Sequence, residues 1–265
     1  MTSPAPPTEA PKPGDTYVQS FARGLAVIRS FGAATPSQTL SEVAARTGLT
    51  RAGARRILLT LQGLGYVQSS GRQFRLTART LDLGFAYLSS LPLWSFAEPV
   101  MEALATEVKE SCSAAVLDGD DIVYVLRVPT HRILSITLGI GSRLPAYCTS
   151  MGRVLLAGLP PDEARARLLA APRPALTPRT VVAVEPLLAE IARVREQGWC
   201  LVNQELEEGL VSMGAPLTDR SGRTIAALNL SAQVAATPPE AMLQRCLPAL
   251  RAAALRISRT LQMKT

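Results

Sequence analysis

The sequence predicts an α+β protein in which a winged helix-turn-helix is joined by a linker helix to a second domain of mixed helices and strands. Charge distribution is the first reason. Residues 1–80 hold ten Lys and Arg against three Asp and Glu, whereas residues 81–265 hold 18 of each. The basic segment also shows a helix-turn-helix pattern followed by a hairpin. The neutral remainder is long enough, at 47% apolar content for the whole chain, to bury a core of its own.

Composition narrows the class of protein further. No apolar run approaches the roughly 20 residues of a membrane helix, and residues 1–16 are rich in proline without the apolar core of a signal peptide. We therefore expect a disordered leader over 1–16 and a cytoplasmic protein with no membrane association. The four cysteines are too far apart for a CxxC site and are expected to be buried free thiols. With His131 as the single histidine, we expect no metal site and no cofactor.

Residues 17–76 carry the winged helix-turn-helix pattern. An apolar stripe predicts a first helix from Tyr17 to Phe31. Thr39 and Glu42 have the spacing of a capping box that starts a second helix, which ends at Gly48. Thr50 caps a third helix, and two short alternating runs then flank Ser70-Gly71-Arg72 as a β-hairpin. The order of these elements is that of a winged helix.

Residues 77–95 are predicted to form the linker helix, and 96–265 the second domain. Alternating runs and turn residues predict strands at Ser113–Leu117, Ile122–Val128, 133–138, Gly198–Asn203 and Thr224–Ser231. Helices are predicted from Phe96 to Lys109, at 149–158, 161–170 and 183–197, and from Pro239 to Met263. The last of these has coiled-coil spacing, but a helix that covers one face of a sheet has the same spacing, and we favour the sheet cover.

The basic helix face indicates DNA as the partner of the first domain. In a helix-turn-helix, residues at the start of the second helix reach base edges in the major groove, and arginine pairs with guanine or phosphate. Hydroxyls near helix N-termini are typical phosphate contacts, and the wing adds further basic groups. The predicted DNA-binding residues are Thr39, Ser41, Thr50, Arg51, Ala52, Arg55, Arg56, Arg72 and Arg75. A merely solvated basic face is the alternative.

The second domain shows no nucleophile–base pair and no phosphate loop, so we expect no enzyme and no catalytic residues. Control by a small acid is the economical hypothesis, because hydroxyls, amides and arginines cluster around a predicted helix N-terminus that suits a carboxylate. Ordinary helix capping would explain the same hydroxyls. The candidate effector-binding residues are Arg132, Arg143, Tyr147, Thr149, Ser150, Met151, Asn203, Ser212, Asn229 and Ser231.

Three stretches resemble the IclR family of bacterial transcription regulators. They are TLSEVAARTGLTRAGARRILLTLQGLGYV with the following RLTARTLDLG, GSRLPAYCTSMGRVLLAGL, and GWCLVNQELEEGLVSMGAPLTDRSGRTIAALNLS. Within that family the chain is most similar to the PcaR/PcaU/PobR branch, which controls protocatechuate and 4-hydroxybenzoate catabolism in the β-ketoadipate pathway.

The resemblance implies a GAF-like second domain with a curved antiparallel sheet, and a homodimer or homotetramer on a palindromic operator. It also implies an effector pocket at the positions matching Ser150 with Met151, Val202 with Asn203, Ser212, and Asn229 with Ser231. Many relatives have Cys at the position of Ser212 and an acidic residue at that of Asn203. Both departures remove negative charge, which agrees with an aromatic carboxylate as effector.

The sequence thus predicts a transcription regulator of aromatic catabolism genes that responds to an acid of the 4-hydroxybenzoate or protocatechuate class. For an activator, RNA polymerase is a further partner. The linker is expected to change the spacing of two DNA-binding domains when the effector binds. Three alternatives stay open: a regulator of another small-acid pathway, a DNA-binding protein whose second domain only oligomerises, and an enzyme built on the second domain.

Overall fold

A computed structural model describes residue 14 and residues 17–90, 93–129 and 138–264 of the chain. These residues form two compact units that divide between residues 90 and 91. The rest of the predicted leader, Arg132, and the predicted strand at 133–138 apart from its last residue lie outside the described residues.

The first unit is a helix-turn-helix followed by a β-hairpin, as predicted. Its three strands form an antiparallel sheet in the order β1-β3-β2. In chain order the elements are α1 (Gln19–Arg29), β1 (Gln38–Thr39), α2 (Leu40–Thr47), α3 (Arg51–Gly63), β2 (Val67–Ser70), β3 (Gln73–Leu76), a 3₁₀ turn (Ala78–Thr80) and α4 (Leu81–Ser90).

Local hydrogen bonds set the ends of α2 and α3. The Thr39 hydroxyl accepts from the backbone N–H of Glu42 at 3.3 Å, and the Glu42 carboxylate accepts from the backbone N–H of Thr39 at 2.6 Å, which confirms the capping box. Gly48 ends α2 with a φ of +66°, a conformation that glycine adopts without steric cost. The Thr50 hydroxyl accepts from the N–H of Gly53 at 3.1 Å and starts α3.

The core of the first unit gathers side chains from its helices and from β2. Val27, Val43, Ala54 and Leu58 are fully buried. Because Ala54 and Leu58 face this core, the arginines on the other side of α3 must face outward.

The second unit is built on a six-stranded antiparallel sheet in the order β6-β5-β4-β9-β8-β7. This arrangement of helices on an antiparallel sheet is the predicted α+β class. In chain order its elements are α5 (Leu93–Val108), β4 (Ser111–Asp118), β5 (Asp121–Val128), β6 (Arg143–Pro145), α6 (Ser150–Ala157), α7 (Pro161–Ala170), α8 (Val184–Gln197), β7 (Cys200–Asn203), β8 (Leu210–Thr218), β9 (Thr224–Gln233), α9 (Pro239–Ala241), a π-helical turn (Met242–Cys246) and α10 (Leu247–Lys264).

Helices cover both faces of this sheet. α6 lies on one face against β8 and β9, and α8 packs on α6. α10 and α5 cover the other face, and α10 buries Leu250, Ile257 and Leu261. The final helix is therefore the predicted sheet cover. The four cysteines are free and buried, also as predicted.

β5 contains a β-bulge at Val125. Tyr124 pairs with Ala115 and Leu126 pairs with Ala114, so that Val125 is an extra residue in the ladder. A bulge shifts the alternation of side chains between the two faces of a sheet. Two residues that lie on either side of Val125 and would point to opposite faces of a regular strand therefore point to the same face.

The sequence prediction missed three strands, the two-residue β1 together with β6 and β8, and placed two helix starts a few residues off. β8 was not predicted because Leu210–Thr218 lies in the sheet interior between two helical layers. Most of its residues are apolar, and it includes Gly214 and Pro216, which are typical of turns rather than of strands. β6 is only three residues long. The linker helix is α4, which begins at Leu81, and α5 begins at Leu93 rather than Phe96.

Candidate functional site

The first unit presents a basic surface at the start of α3. Arg51, Arg55 and Arg56 are exposed, and Ala52 between them is also exposed. Within the described part of the chain, none of these three arginines forms an ion pair with a carboxylate. Thr50 caps the helix directly below them. The surface therefore offers free guanidinium groups around a small residue, an arrangement that fits bases and phosphates in a major groove.

The other predicted DNA contacts lie on α2 and on the hairpin. Ser41 is exposed on the first turn of α2, whereas the hydroxyl of Thr39 is bonded to Glu42. Arg72 lies at the tip of the hairpin beside Gly71, which has a φ of +60°, and Arg75 is exposed on β3. The wing thus adds two guanidinium groups to the same unit.

The second unit contains a cavity between the sheet and the N-terminal end of α6. About 30 Å³ of it is accessible to a water-sized group, within about 540 Å³ of empty space that includes open solvent. Six of the predicted effector residues line it: Thr149, Ser150, Met151, Ser212, Asn229 and Ser231. The remaining lining residues are Tyr124, Leu138, Cys148, Val202, Glu205, Leu206, Glu207 and Leu210. Of these, the sequence analysis indicated only Val202, through the family resemblance.

Two buried polar atoms of this cavity have no partner. Ser150 is 1% exposed and Asn229 is 4% exposed, and neither Ser150 Oγ nor Asn229 Oδ1 forms a hydrogen bond in the described structure. A buried polar group without a partner costs about 1–3 kcal/mol. A ligand with polar atoms at this place would remove that cost.

Strand register aligns the polar lining. Asn229 pairs with Gly214, and Ser231 pairs with Ser212, so their side chains share the face that α6 covers. Gly214 leaves room for the helix, since a Cβ there would lie 3.1 Å from the backbone carbon of Ser150. The N-terminal end of α6 therefore rests directly on β8 beside Asn229, and its first N–H groups and helix dipole favour an anion at this point.

A buried ion pair closes the cavity from the side. Arg153 of α6 donates from Nη2 to Oε2 of Glu205 at 2.6 Å, and the two side chains are only 4% and 9% exposed. Arg153 Nε also donates to the carbonyl of Tyr147, and the N–H of Val181 donates to Glu205. These bonds fix the loop that carries Glu205 against α6. The sequence analysis could not predict this ion pair, because 52 residues separate its members.

Three predicted effector residues, Arg143, Tyr147 and Asn203, do not line this cavity in the described structure. Arg143 is half-exposed and binds Asp118 and Asp121, at 2.5 Å and 3.1 Å. Tyr147 is buried, and its hydroxyl donates to the carbonyl of Pro174. Asn203 pairs with Val211, so strand alternation turns it to the face opposite Ser212. Arg132 lies outside the described residues.

The Cys148 thiol and the Tyr124 hydroxyl on the cavity wall are neutral near pH 7. Burial raises the pKa of the Cys148 thiol to about 11 and the pKa of the Tyr124 hydroxyl to about 12.

Among the described residues, no cluster of three His, Cys, Asp or Glu side chains could hold a metal ion. Across the same ranges, none of the helices has the length and hydropathy to cross a membrane.

The sequence matches two family models. Residues 20–71 match the IclR helix-turn-helix domain, and residues 85–259 match the model described as bacterial transcriptional regulator IclR C-terminal. The chain belongs to the IclR family. It is thus a DNA-binding transcriptional regulator by family, and the predicted resemblance and fold class are confirmed.

Proteins similar to this IclR-family chain include two named regulators and a crystal structure that holds an aromatic acid. It is 44% identical to the Pca regulon regulatory protein of Pseudomonas putida, over 96% of this chain and 87% of that protein. It is 34% identical to the p-hydroxybenzoate hydroxylase transcriptional activator of Acinetobacter baylyi, over 89% of each. A crystal structure of an IclR homologue from Microbacterium hydrocarbonoxydans complexed with 4-hydroxybenzoate matches with a TM-score of 0.81 and 26% identity, covering 92% of this chain and 99% of that one.

Proposed function

We propose that this IclR-family regulator binds a small aromatic carboxylate in the cavity of its second unit and thereby controls genes of aromatic catabolism. The observation that carries the proposal is the pair of unpartnered buried atoms, Ser150 Oγ and Asn229 Oδ1, beside the N-terminal end of α6. A carboxylate accepts from the Ser150 hydroxyl and from helix N–H groups, whereas Asn229 Oδ1 is itself an acceptor and would take a donor such as a ring hydroxyl of the acid. The similarity to a structure that holds 4-hydroxybenzoate supports this class of acid.

Thermal unfolding with a panel of acids tests the effector. The panel is 4-hydroxybenzoate, protocatechuate, benzoate, β-ketoadipate and glyoxylate. An acid at 100 times its dissociation constant should stabilise the protein by about 2.7 kcal/mol. A shift with one aromatic acid supports the proposal, a shift with glyoxylate alone assigns the chain to another small-acid pathway, and no shift with any acid favours a second unit that only oligomerises.

DNA recognition is assigned to α3 and the wing. Arg51, Arg55 and Arg56 read the major groove, and Arg72 and Arg75 bind the adjacent backbone. Residues 81–265, by contrast, hold equal numbers of basic and acidic residues, 18 of each. The DNA affinity should fall steeply as salt rises, because phosphate contacts release counterions. Gel shifts at 50 and 200 mM salt measure this slope.

Self-association is assigned to the apolar surface of α4. Leu81 is 73% exposed and Phe85 is 68% exposed, and Leu83 and Tyr87 beside them are also exposed. Exposed apolar side chains in this number on one short helix mark an interaction surface. A homodimer or homotetramer that buries them would match a palindromic operator by its own two-fold symmetry. Light scattering on the purified protein gives the oligomeric state.

This assignment makes the chain a cytoplasmic regulator rather than an enzyme. Of the two carboxylates that line the cavity in the described structure, Glu205 is bound to Arg153 and is therefore not free to act as a general base. Effector binding is proposed to favour one arrangement of α4 in the oligomer, and so one spacing of the DNA-binding units. An activator would in addition contact RNA polymerase. Turnover of a panel acid by the purified protein would contradict this role.

A further inference from the structure

Arg127 is a half-buried arginine on β5 that the sequence analysis did not connect with the cavity. Tyr124, three positions earlier, lines the cavity. In a regular strand, residues three apart point to opposite faces. The bulge at Val125 cancels this alternation, and the ladder pairs Arg127 with Ser113 on β4.

A row of directly paired residues crosses the sheet from Arg127. Arg127 pairs with Ser113, Ser113 pairs with Asn229, and Asn229 pairs with Gly214. Directly paired residues share a face, so Arg127 points to the same face as Asn229. The two residues are two strands apart, or about 10 Å between backbones, a distance that an arginine side chain largely spans.

The guanidinium of Arg127 has unused donors. Its Nη1 donates to the carbonyl of Leu138 at 2.8 Å, and Leu138 lines the cavity. Its Nε is buried and has no partner in the described ranges. No carboxylate of the described structure pairs with it. Its charge is felt at the cavity wall, because it opposes the rise that burial imposes on the pKa of Tyr124.

We infer that Arg127 is the counter-ion of the effector's carboxylate and the residue that makes this cavity select acids over neutral molecules of the same shape. The carboxylate would lie beside Arg127 and the N-terminal end of α6, where Ser150 Oγ has no partner and can donate to it. A charged hydrogen bond to a buried guanidinium is stronger than the hydroxyl and amide contacts alone. The inference rests on the proposed function and assigns the selecting charge to a residue outside the sequence-predicted set.

Calorimetric titration of the full chain with 4-hydroxybenzoate and its neutral analogue 4-hydroxybenzamide tests this. The wild type should bind the acid about 10- to 100-fold more tightly than the amide. Arg127→Met should lose about the same factor for the acid and leave the amide affinity unchanged, and Arg127→Lys should keep part of the preference. Arg143→Met is the matched control, since that arginine binds Asp118 and Asp121 away from the cavity, and both affinities should stay as in the wild type.

An Arg127→Met protein with the wild-type unfolding temperature and unchanged affinity for the acid would overturn the inference. So would equal wild-type affinities for the acid and the amide, a measurement that needs no variant. A wild type that binds β-ketoadipate but no aromatic acid would refute the aromatic effector alone. In that case, loss of β-ketoadipate affinity in Arg127→Met would support the role of Arg127, and retention would contradict it. A wild type that binds no acid would refute both the proposed function and the role of Arg127.

Discussion

The two units of the chain place their proposed functional residues in opposite environments. Arg51, Arg55 and Arg56 are exposed on one turn of a single helix, and local sequence positions them. Ser150 and Asn229 are buried and come from a helix and a strand 79 positions apart. An exposed site therefore depends on charge and one helix, whereas a buried site depends on strand register and packing. Substitutions should affect binding in the first unit and folding or affinity in the second.

Breaking the buried ion pair should give the largest effect. Arg153→Met leaves the Glu205 carboxylate buried without its partner, which costs about 3–5 kcal/mol of the free energy of unfolding. Chemical denaturation measures this loss. Arg165→Met is the control, because the pair of Arg165 and Glu185 is exposed on both sides and is worth at most about 1 kcal/mol. Equal losses in the two variants would remove the contrast between buried and exposed charges.

Removing the exposed arginines should abolish DNA recognition without destabilising the fold. Arg51→Ala with Arg55→Ala loses two base or phosphate contacts of about 1–3 kcal/mol each, so affinity for the operator should fall at least about 30-fold. Fluorescence anisotropy with labelled operator measures it, and Arg193→Ala in the second unit is the control. An unchanged affinity would place the DNA-binding surface elsewhere.

The cavity thiol should be unreactive at neutral pH. Because burial raises the pKa of Cys148 from 9.0 to about 11, its thiolate fraction at pH 8 is about 100-fold below that of an ordinary cysteine. Alkylation, followed by peptide mass spectrometry, should therefore be slow at pH 8 and accelerate as pH rises toward 11. Burial that favours the neutral thiol also stabilises the fold below pH 9, and this contribution should decline above it. Fast alkylation of the folded protein at pH 8 would show an open cavity.

Removing a helix cap should have the smallest effect. Thr50→Ala deletes the hydroxyl that accepts from the N–H of Gly53 and should cost about 1 kcal/mol of stability. Thr50→Ser keeps the cap and should restore it. If the alanine variant also loses operator affinity beyond this cost, and the serine variant does not, Thr50 contacts DNA as well as capping α3.

The accuracy of the sequence predictions follows the same division between the units. The capping box at Thr39, the turn at Gly48 and the basic face of α3 were all predictable, because each depends on residues within a few positions of one another. In the second unit the hairpin between β4 and β5 was predictable from its turn residues. β8 was not, since an interior strand covered on both faces lacks alternation. The hydroxyls and amides near the predicted start of α6 indicated six of the cavity residues, and Val202 was indicated only by the family resemblance.

The sequence by itself determined the two-domain organisation, the caps, the location of the excess charge and the identity of the polar groups near Ser150. The tertiary structure decided which of those groups share a cavity. Alternation in β7 turned Asn203 away from it, two aspartates bound Arg143 outside it, and the bulge at Val125 brought Arg127 to its face. The physical reason is that register and bulges depend on packing between strands distant in sequence, and one residue of shift reverses the face of every side chain that follows.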